Sequence, residues 1–303
     1  MASLQAKALN LALPMLAISR FSAAPELIEE RLPKMRARPQ ERPRKRLHAR
    51  FDITEDNSRG YPLITLQPKG RADEDARHLL YLHGGGYIVD IADVHYDLVG
   101  RLCDATGASV SVPLYPLAPE TKAVDVLGAM RALYGELAEQ YGAHNITIMG
   151  DSAGGGMSLA LAQMLKADGG PLPGRLVLYS PWLDAAASGE DQPELAKRDR
   201  MLTIGMLRKC GELYRGDLAV DDPRVSPLHG ELEGLPPMAI FAGTRDVLVS
   251  DARRLVERLQ APGMPEHTYH EYADMMHVWM AVPIPEAKKV IAQTAQFLKE
   301  AAA

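Results

Sequence analysis

Short, uniformly apolar runs alternate with longer stretches whose apolar residues recur every three or four positions, and from residue 78 onward this alternation sets the architecture. "HLLYL" (78–82), "SVSVPL" (109–114), "ITIM" (146–149), "RLVLY" (175–179), "MAIFA" (238–242) and "TYHEY" (268–272) read as strands. Most lack polar alternation, as expected of strands covered on both faces in a parallel sheet. Between them Leu127, Met130, Tyr134, Leu137 and Tyr141 share one helical face, as do Leu248, Ala252, Leu255 and Leu259. Repeated strand, helix, strand units predict a doubly wound α/β domain, in which ligands bind beyond the carboxyl ends of the strands.

Two regions depart from this rhythm. After "SPWLD" about fifty residues precede the next strand, including the weakly helical "DRMLTIGMLRKCGELY". An insertion there is expected to fold over the sheet edge as a lid. The N-terminal "MASLQAKALNLALPMLAISRFSAA" has the small residues and apolar run of a weak export signal. The helical spacing of Leu9, Leu13 and Leu16, and the interruptions at Pro14 and Arg20, favour a helix packed on the body. No run is long enough to span a bilayer, so stable membrane insertion is not expected.

Composition changes the picture little. The chain has 303 residues, 47% hydrophobic and 24% charged, with a net charge of −5 that offers nucleic acid no general footing. Residues 31–50 are the exception, with nine Lys or Arg against one Glu; the prolines at 33, 39 and 43 predict an irregular, solvated connector there. Cys103 and Cys210 lie far apart without metal-ligand spacing, which predicts no zinc site and a reducing, cytoplasmic setting.

The chemistry gathers at strand ends. "GDSAGGG" (150–156) follows a strand and opens a helix, the context in which G-x-S-x-G forms a nucleophile elbow. Ser152 is then the nucleophile, with Gly150 and Gly154 making room for the sharp turn. A serine hydroxyl needs a base, and the base needs a carboxylate to orient it, in the chain order Ser, Asp, His. Asp246 follows the strand "MAIFA" and is preferred to Asp251, which reads as an ordinary helix N-cap. Of the nine histidines, His48, His78, His95 and His144 precede Ser152 or lie in surface-like contexts, and His229 precedes Asp246. His267 and His270 fall in the last strand, leaving His277 in the loop after it. "HGGGY" (83–87) answers the remaining need, donors for the oxyanion of an attacked carbonyl. Gly85 and Gly86, with Ala153 after the nucleophile, present backbone N–H groups, while Gly84 shapes the loop and His83 anchors it.

Taken in order, "YLHGGGY", "YPLAPE", "GDSAGG", "SPWLD", "DPRVSPL", "GTRDVLVSD" and "HVW" make the chain resemble the hormone-sensitive-lipase-like esterases, bacterial family IV of the α/β-hydrolases, from about residue 78 to 280. The resemblance implies an α/β-hydrolase fold, a mostly parallel central sheet with helices on both faces and a helical cap. It implies that residues 1–45 form an N-terminal cap segment, and that 46–303 form the core with a cap insertion at about 183–222. It also implies hydrolysis of small-molecule carboxylic esters, usually of short acyl groups, without a cofactor or metal. Competing readings are an amide, lactone or N-acetyl hydrolase with the same triad, or a non-catalytic receptor on the same scaffold, as in the plant gibberellin receptors, which lack the catalytic histidine. A homodimer stays open. Relatives usually carry arginine where Pro116 stands and glycine where Asp90 stands, and Asp90 or Asp93 is expected to change the polarity near the site.

Overall fold

Residues 2–13, 24–37, 39–70 and 77–299 are described by the structure, a computed structural model. Its strands are β1 (Phe51–Asp56), β2 (Leu63–Pro68), β3 (His78–Leu82), β4 (Ser109–Pro113), β5 (Ile146–Asp151), β6 (Arg175–Tyr179), β7 (Met238–Gly243) and β8 (His267–Tyr272). They form one sheet in the order β1-β2-β4-β3-β5-β6-β7-β8, antiparallel from β1 to β4 and parallel thereafter. All six strands read from the sequence are present. β1 and β2 were not foreseen: "FDITED" exposes most of its residues and buries Phe51 as its anchor, so it lacks the continuous apolar signal of a covered strand.

The parallel strands are apolar on both faces because helices cover both. Leu80 and Leu82 of β3 face one layer, which contains α5 (Ala123–Tyr141), α6 (Ala153–Ala167) and α9 (Val249–Leu259). Leu79 and Tyr81 face the other, made by α4 (Asp93–Thr106) and α10 (Pro285–Lys299). α1 (Leu4–Ala12) lies on this second layer through Ala6, with Leu13 buried just beyond it; Leu16 falls outside the described residues. The β6–β7 connection contributes α7 (Gln192–Ala196) and α8 (Ile204–Arg215).

The basic stretch is irregular only between two helices, at 37 and 39–44 among the described residues, and it is not simply solvated. It includes the end of α2 (Ile28–Arg36) and α3 (Lys45–His48). Pro33 sits inside α2, where a proline costs about 3 kcal/mol. Burial of Ile28 and Leu32 on one face offsets that cost. Its arginines meet carboxylates: Arg44, Arg46 and Arg50 pair with Asp93, Asp97 and Asp104 along one face of α4, and Arg42 pairs with Glu55 on β1. The local positive charge is therefore matched by an acidic surface of the same chain.

Replacing Leu80, fully buried in the middle of the sheet, by alanine is expected to destabilise the fold by about 2–5 kcal/mol. The urea midpoint should fall with an unchanged slope, and a loss below about 1 kcal/mol would contradict this account of the core.

Candidate active site

Three loops at the carboxyl ends of β5, β7 and β8 carry Ser152, Asp246 and His277. Ser152 occupies the β5–α6 junction with φ 53° and ψ −121°, a conformation that costs about 1–3 kcal/mol for a non-glycine residue. The surrounding backbone holds it there. Its N–H donates to Tyr179 O at 2.9 Å, and its carbonyl accepts from Gly156 N at 3.1 Å and Trp182 N at 3.0 Å. A Cβ at either Gly150 or Gly154 would overlap the Leu82 carbonyl oxygen, so the elbow must be side-chain-free on that side.

Asp246 and His277 are joined directly. His277 Nδ1 lies 2.7 Å from Asp246 Oδ2, and Asp246 Oδ1 accepts from Leu248 N at 2.9 Å. Both side chains are almost wholly buried. Burial alone would lower the imidazole pKa, but the Asp246 charge and hydrogen bond, followed by the charges of Asp199 and Asp151, raise it above the ordinary value. With Nδ1 committed to Asp246, Nε2 is the nitrogen left for a proton transfer. The two halves of the site meet at Ser180, whose Oγ accepts from Val278 N at 3.2 Å while the preceding carbonyl, Tyr179 O, holds the Ser152 amide. No hydrogen bond joins Ser152 Oγ to the ring here; such contacts are often long without substrate and tighten on binding.

The glycine loop is organised by Asp151. This buried carboxylate accepts from Tyr81 OH at 2.5 Å and Gly84 N at 3.0 Å, and lies 3.4 Å from His95 Nε2. A Cβ at Gly84 would strike its Oδ2. The Gly84 amide is thus spent on Asp151, whereas those of Gly85 and Gly86 donate to no described residue. The positive φ of Gly85 (127°) and Gly86 (61°) turns the loop here. The Ala153 N–H opens α6, where a helix leaves its first amides without intrahelical partners. His83 stacks on Tyr115 with ring centroids 4.3 Å apart, and burial pushes its pKa down to about 4, which keeps it neutral.

Several residues behave differently from their sequence context. His95, expected at the surface, is largely enclosed and faces Asp151; burial lowers its pKa, but the Asp151 charge and hydrogen bond leave it raised. Asp251 is not an N-cap: it lies inside the first turn of α9 and accepts the amides of Leu183 and Asp184 at 2.9 and 3.0 Å. Burial pushes it up to about 8 against the pull of the Leu183 amide, with the Asp184 charge adding to the rise. Asp90 accepts from Gln40 at 2.8 Å and Asp93 pairs with Arg44, so both are tied to the N-terminal stretch.

α8 lies over the loop. Cys210 Sγ would be 3.3 Å from a Cβ at Gly86, and Tyr214 stacks on Tyr87 with centroids 3.7 Å apart, with Trp182 at 5.4 Å from the Tyr87 ring. Lys209 of α8 pairs with Glu29 of α2 at 2.5 Å. Among the described residues no cluster of three or more His, Cys, Asp or Glu is arranged to hold a metal ion, and no helix is long and apolar enough to cross a membrane.

Comparison with known proteins fits this geometry. Residues 79–281 match the model of a family described as having an alpha/beta hydrolase fold. An acetyl-hydrolase of Streptomyces hygroscopicus is 38% identical over 76% of this chain and 78% of its own length. A triacylglycerol lipase of Mycobacterium tuberculosis is 33% identical over 68% of this chain, which spans only 42% of that longer protein. The crystal structure of an esterase from the bacterial hormone-sensitive lipase family superposes with a TM-score of 0.80 at 30% identity, covering 99% of both chains.

Asp151→Asn keeps an acceptor for Tyr81 and Gly84 but removes the charge facing His95. The His95 imidazole, followed by NMR, is expected to titrate above 6.5 in the parent and lower in the variant, where burial is opposed only by the Ala92 backbone contact. An unmoved titration would contradict the assignment of Asp151 as its charge partner.

Proposed function

Given that the chain belongs to the hormone-sensitive-lipase-like esterases of the α/β-hydrolase fold, we propose that it hydrolyses carboxylic esters through Ser152, Asp246 and His277. The observation that carries the residue assignment is the 2.7 Å bond between His277 Nδ1 and Asp246, with Ser152 on a strained elbow at the adjoining strand end.

In this mechanism Ser152 Oγ attacks the ester carbonyl as His277 Nε2 takes its proton. Asp246 fixes the tautomer and stabilises the imidazolium that forms. The developing oxyanion is met by the N–H groups of Gly85, Gly86 and Ala153, each such donor contributing on the order of 10²–10³ in rate. His277 returns its proton to the leaving alcohol, leaving Ser152 acylated. Water, activated by the same imidazole, then attacks the acyl carbonyl; the acid departs and the proton returns to Ser152.

We further propose that residues 1–45 and the insertion at about 183–222 form a cap over the site. The Lys209–Glu29 pair, and Cys210 and Tyr214 against the glycine loop, support this reading. The Tyr87, Tyr214 and Trp182 rings pack together in the core next to the glycine loop, and the acetyl-hydrolase relative supports a preference for short acyl groups.

Ser152→Ala is expected to lower kcat on p-nitrophenyl acetate by about 10⁴-fold or more, and retained turnover in pure protein would overturn the assignment. Because the base must be neutral and its pKa is raised, kcat/KM should fall with decreasing pH along a limb centred above 6.5. A limb centred well below that value would contradict the buried Asp246 contact. Across nitrophenyl esters of increasing acyl length, rates should drop steeply beyond short chains; a maximum at long chains would refute the short-acyl reading.

A further inference from the structure

The β6–β7 connection brings a second carboxylate to the acid–base pair. Asp199 Oδ1 accepts the N–H groups of Met201 and Leu202 at 2.7 and 2.9 Å, organising the segment just before α8. Its Oδ2 accepts the N–H of Val247 at 2.9 Å. Val247 directly follows Asp246, whose own Oδ2 holds His277. One side chain of the insertion therefore fastens the turn that carries the acid.

We propose that Asp199 is a positioning residue for ester hydrolysis: a carboxylate supplied by the insertion that fixes the Asp246 turn and adds negative charge to the field around His277. The inference rests on the catalytic reading of Ser152, Asp246 and His277, and deepens it.

Three carboxylates act on the ring from three different elements: Asp246 from the loop after β7, Asp199 from the β6–β7 connection and Asp151 from the end of β5. Beyond Asp151 stands His95 of α4, which shares that charge. Burial, then repulsion by Asp246, pushes Asp199 up to about 6, while its three amide donors pull it down. Those donors are the contacts that favour its anionic form. When the ring gains a proton during turnover, the attraction favours the Asp199 anion further, so the groups titrate jointly. A structural staple needs only the lone pairs of an oxygen, whereas stabilisation of an imidazolium needs the charge. The two roles separate when the charge is first removed with one acceptor kept and then restored on a side chain of different length.

Asp199→Asn removes the charge and keeps one of the two acceptor oxygens, giving up either the Val247 contact or the Met201 and Leu202 pair, and Asp199→Glu keeps the charge on a longer arm. In Asp199→Asn, kcat on p-nitrophenyl acetate is expected to fall about 3- to 30-fold with KM within about twofold, the charge being felt mainly once the ring is protonated. The His277 imidazole, followed by NMR, should titrate at least about half a pH unit below the parent. Asp199→Glu should return that titration toward the parent position even if its melting temperature is lower. A His277 titration unmoved by Asp199→Asn, whatever happens to rate or stability, overturns the inference, as does failure of Asp199→Glu to restore a shifted one. Should the Asn variant not fold, Asp199→Ser, which also keeps one acceptor oxygen, enters the same comparison with the same criteria. Absence of ester turnover in the parent protein would instead defeat the catalytic reading, while the NMR comparison would still report on the charge.

Discussion

The exit of β3 runs so close to the elbow that no side chain fits between them, and the geometry of the site follows from that contact. Leu82 pairs in register with Gly150, and its carbonyl occupies the space that a Cβ at Gly150 or Gly154 would need. Two residues beyond Leu82, Gly84 lies against Asp151 and gives it its amide. The glycine loop therefore cannot shift relative to Ser152 without breaking the central strand pairing. This is how two backbone segments distant in sequence acquire a fixed relation to one another. The arrangement requires a strained serine and a buried carboxylate. The strain is held by three backbone hydrogen bonds, and the carboxylate by Tyr81, Gly84 and His95.

The site was more legible in the sequence than its supports. Ser152, Asp246, His277 and the glycines stand beside strands whose apolar character marks them plainly, so their placement at one sheet edge follows from topology. Asp199, Asp251 and Ser180 were not singled out for what they do, because each acts mainly on backbone groups remote in the chain, and a backbone amide leaves no mark in composition or periodicity. β1 and β2 were missed for a different reason. β1 is an edge strand that needs few apolar residues, and the charges of "FDITED" fit a solvent face as readily as a loop; β2, "LITLQP", lies inside the sheet between β1 and β4, but its apolar run is short and ends at Pro68. The basic stretch misled because charge was read without its partners; the matching carboxylates are spread over β1 and α4.

Charge at the site follows a consistent plan. His277 is surrounded by acidic groups, so burial does not force its imidazolium to be prohibitively costly. His83, equally enclosed but without a dominant carboxylate partner, is held neutral at about 4. Two buried imidazoles of the same fold are thereby given opposite tendencies by their neighbours alone, one suited to cycling a proton and the other to holding a loop in place.

The arginine strap extends this dependence to the N-terminal stretch. Beyond its exposed pairs along α4, the same stretch reaches inward at Arg36, which donates to the carbonyls of Ile88 and Ala118 just behind the glycine loop. Solvent-facing ion pairs are weakened by dissolved electrolyte, whereas the apolar layers of the sheet are not. Rising ionic strength would thus loosen the outer pairs along α4 well before the body melts, while the half-buried Arg36 contacts to Ile88 and Ala118 behind the glycine loop are screened far less.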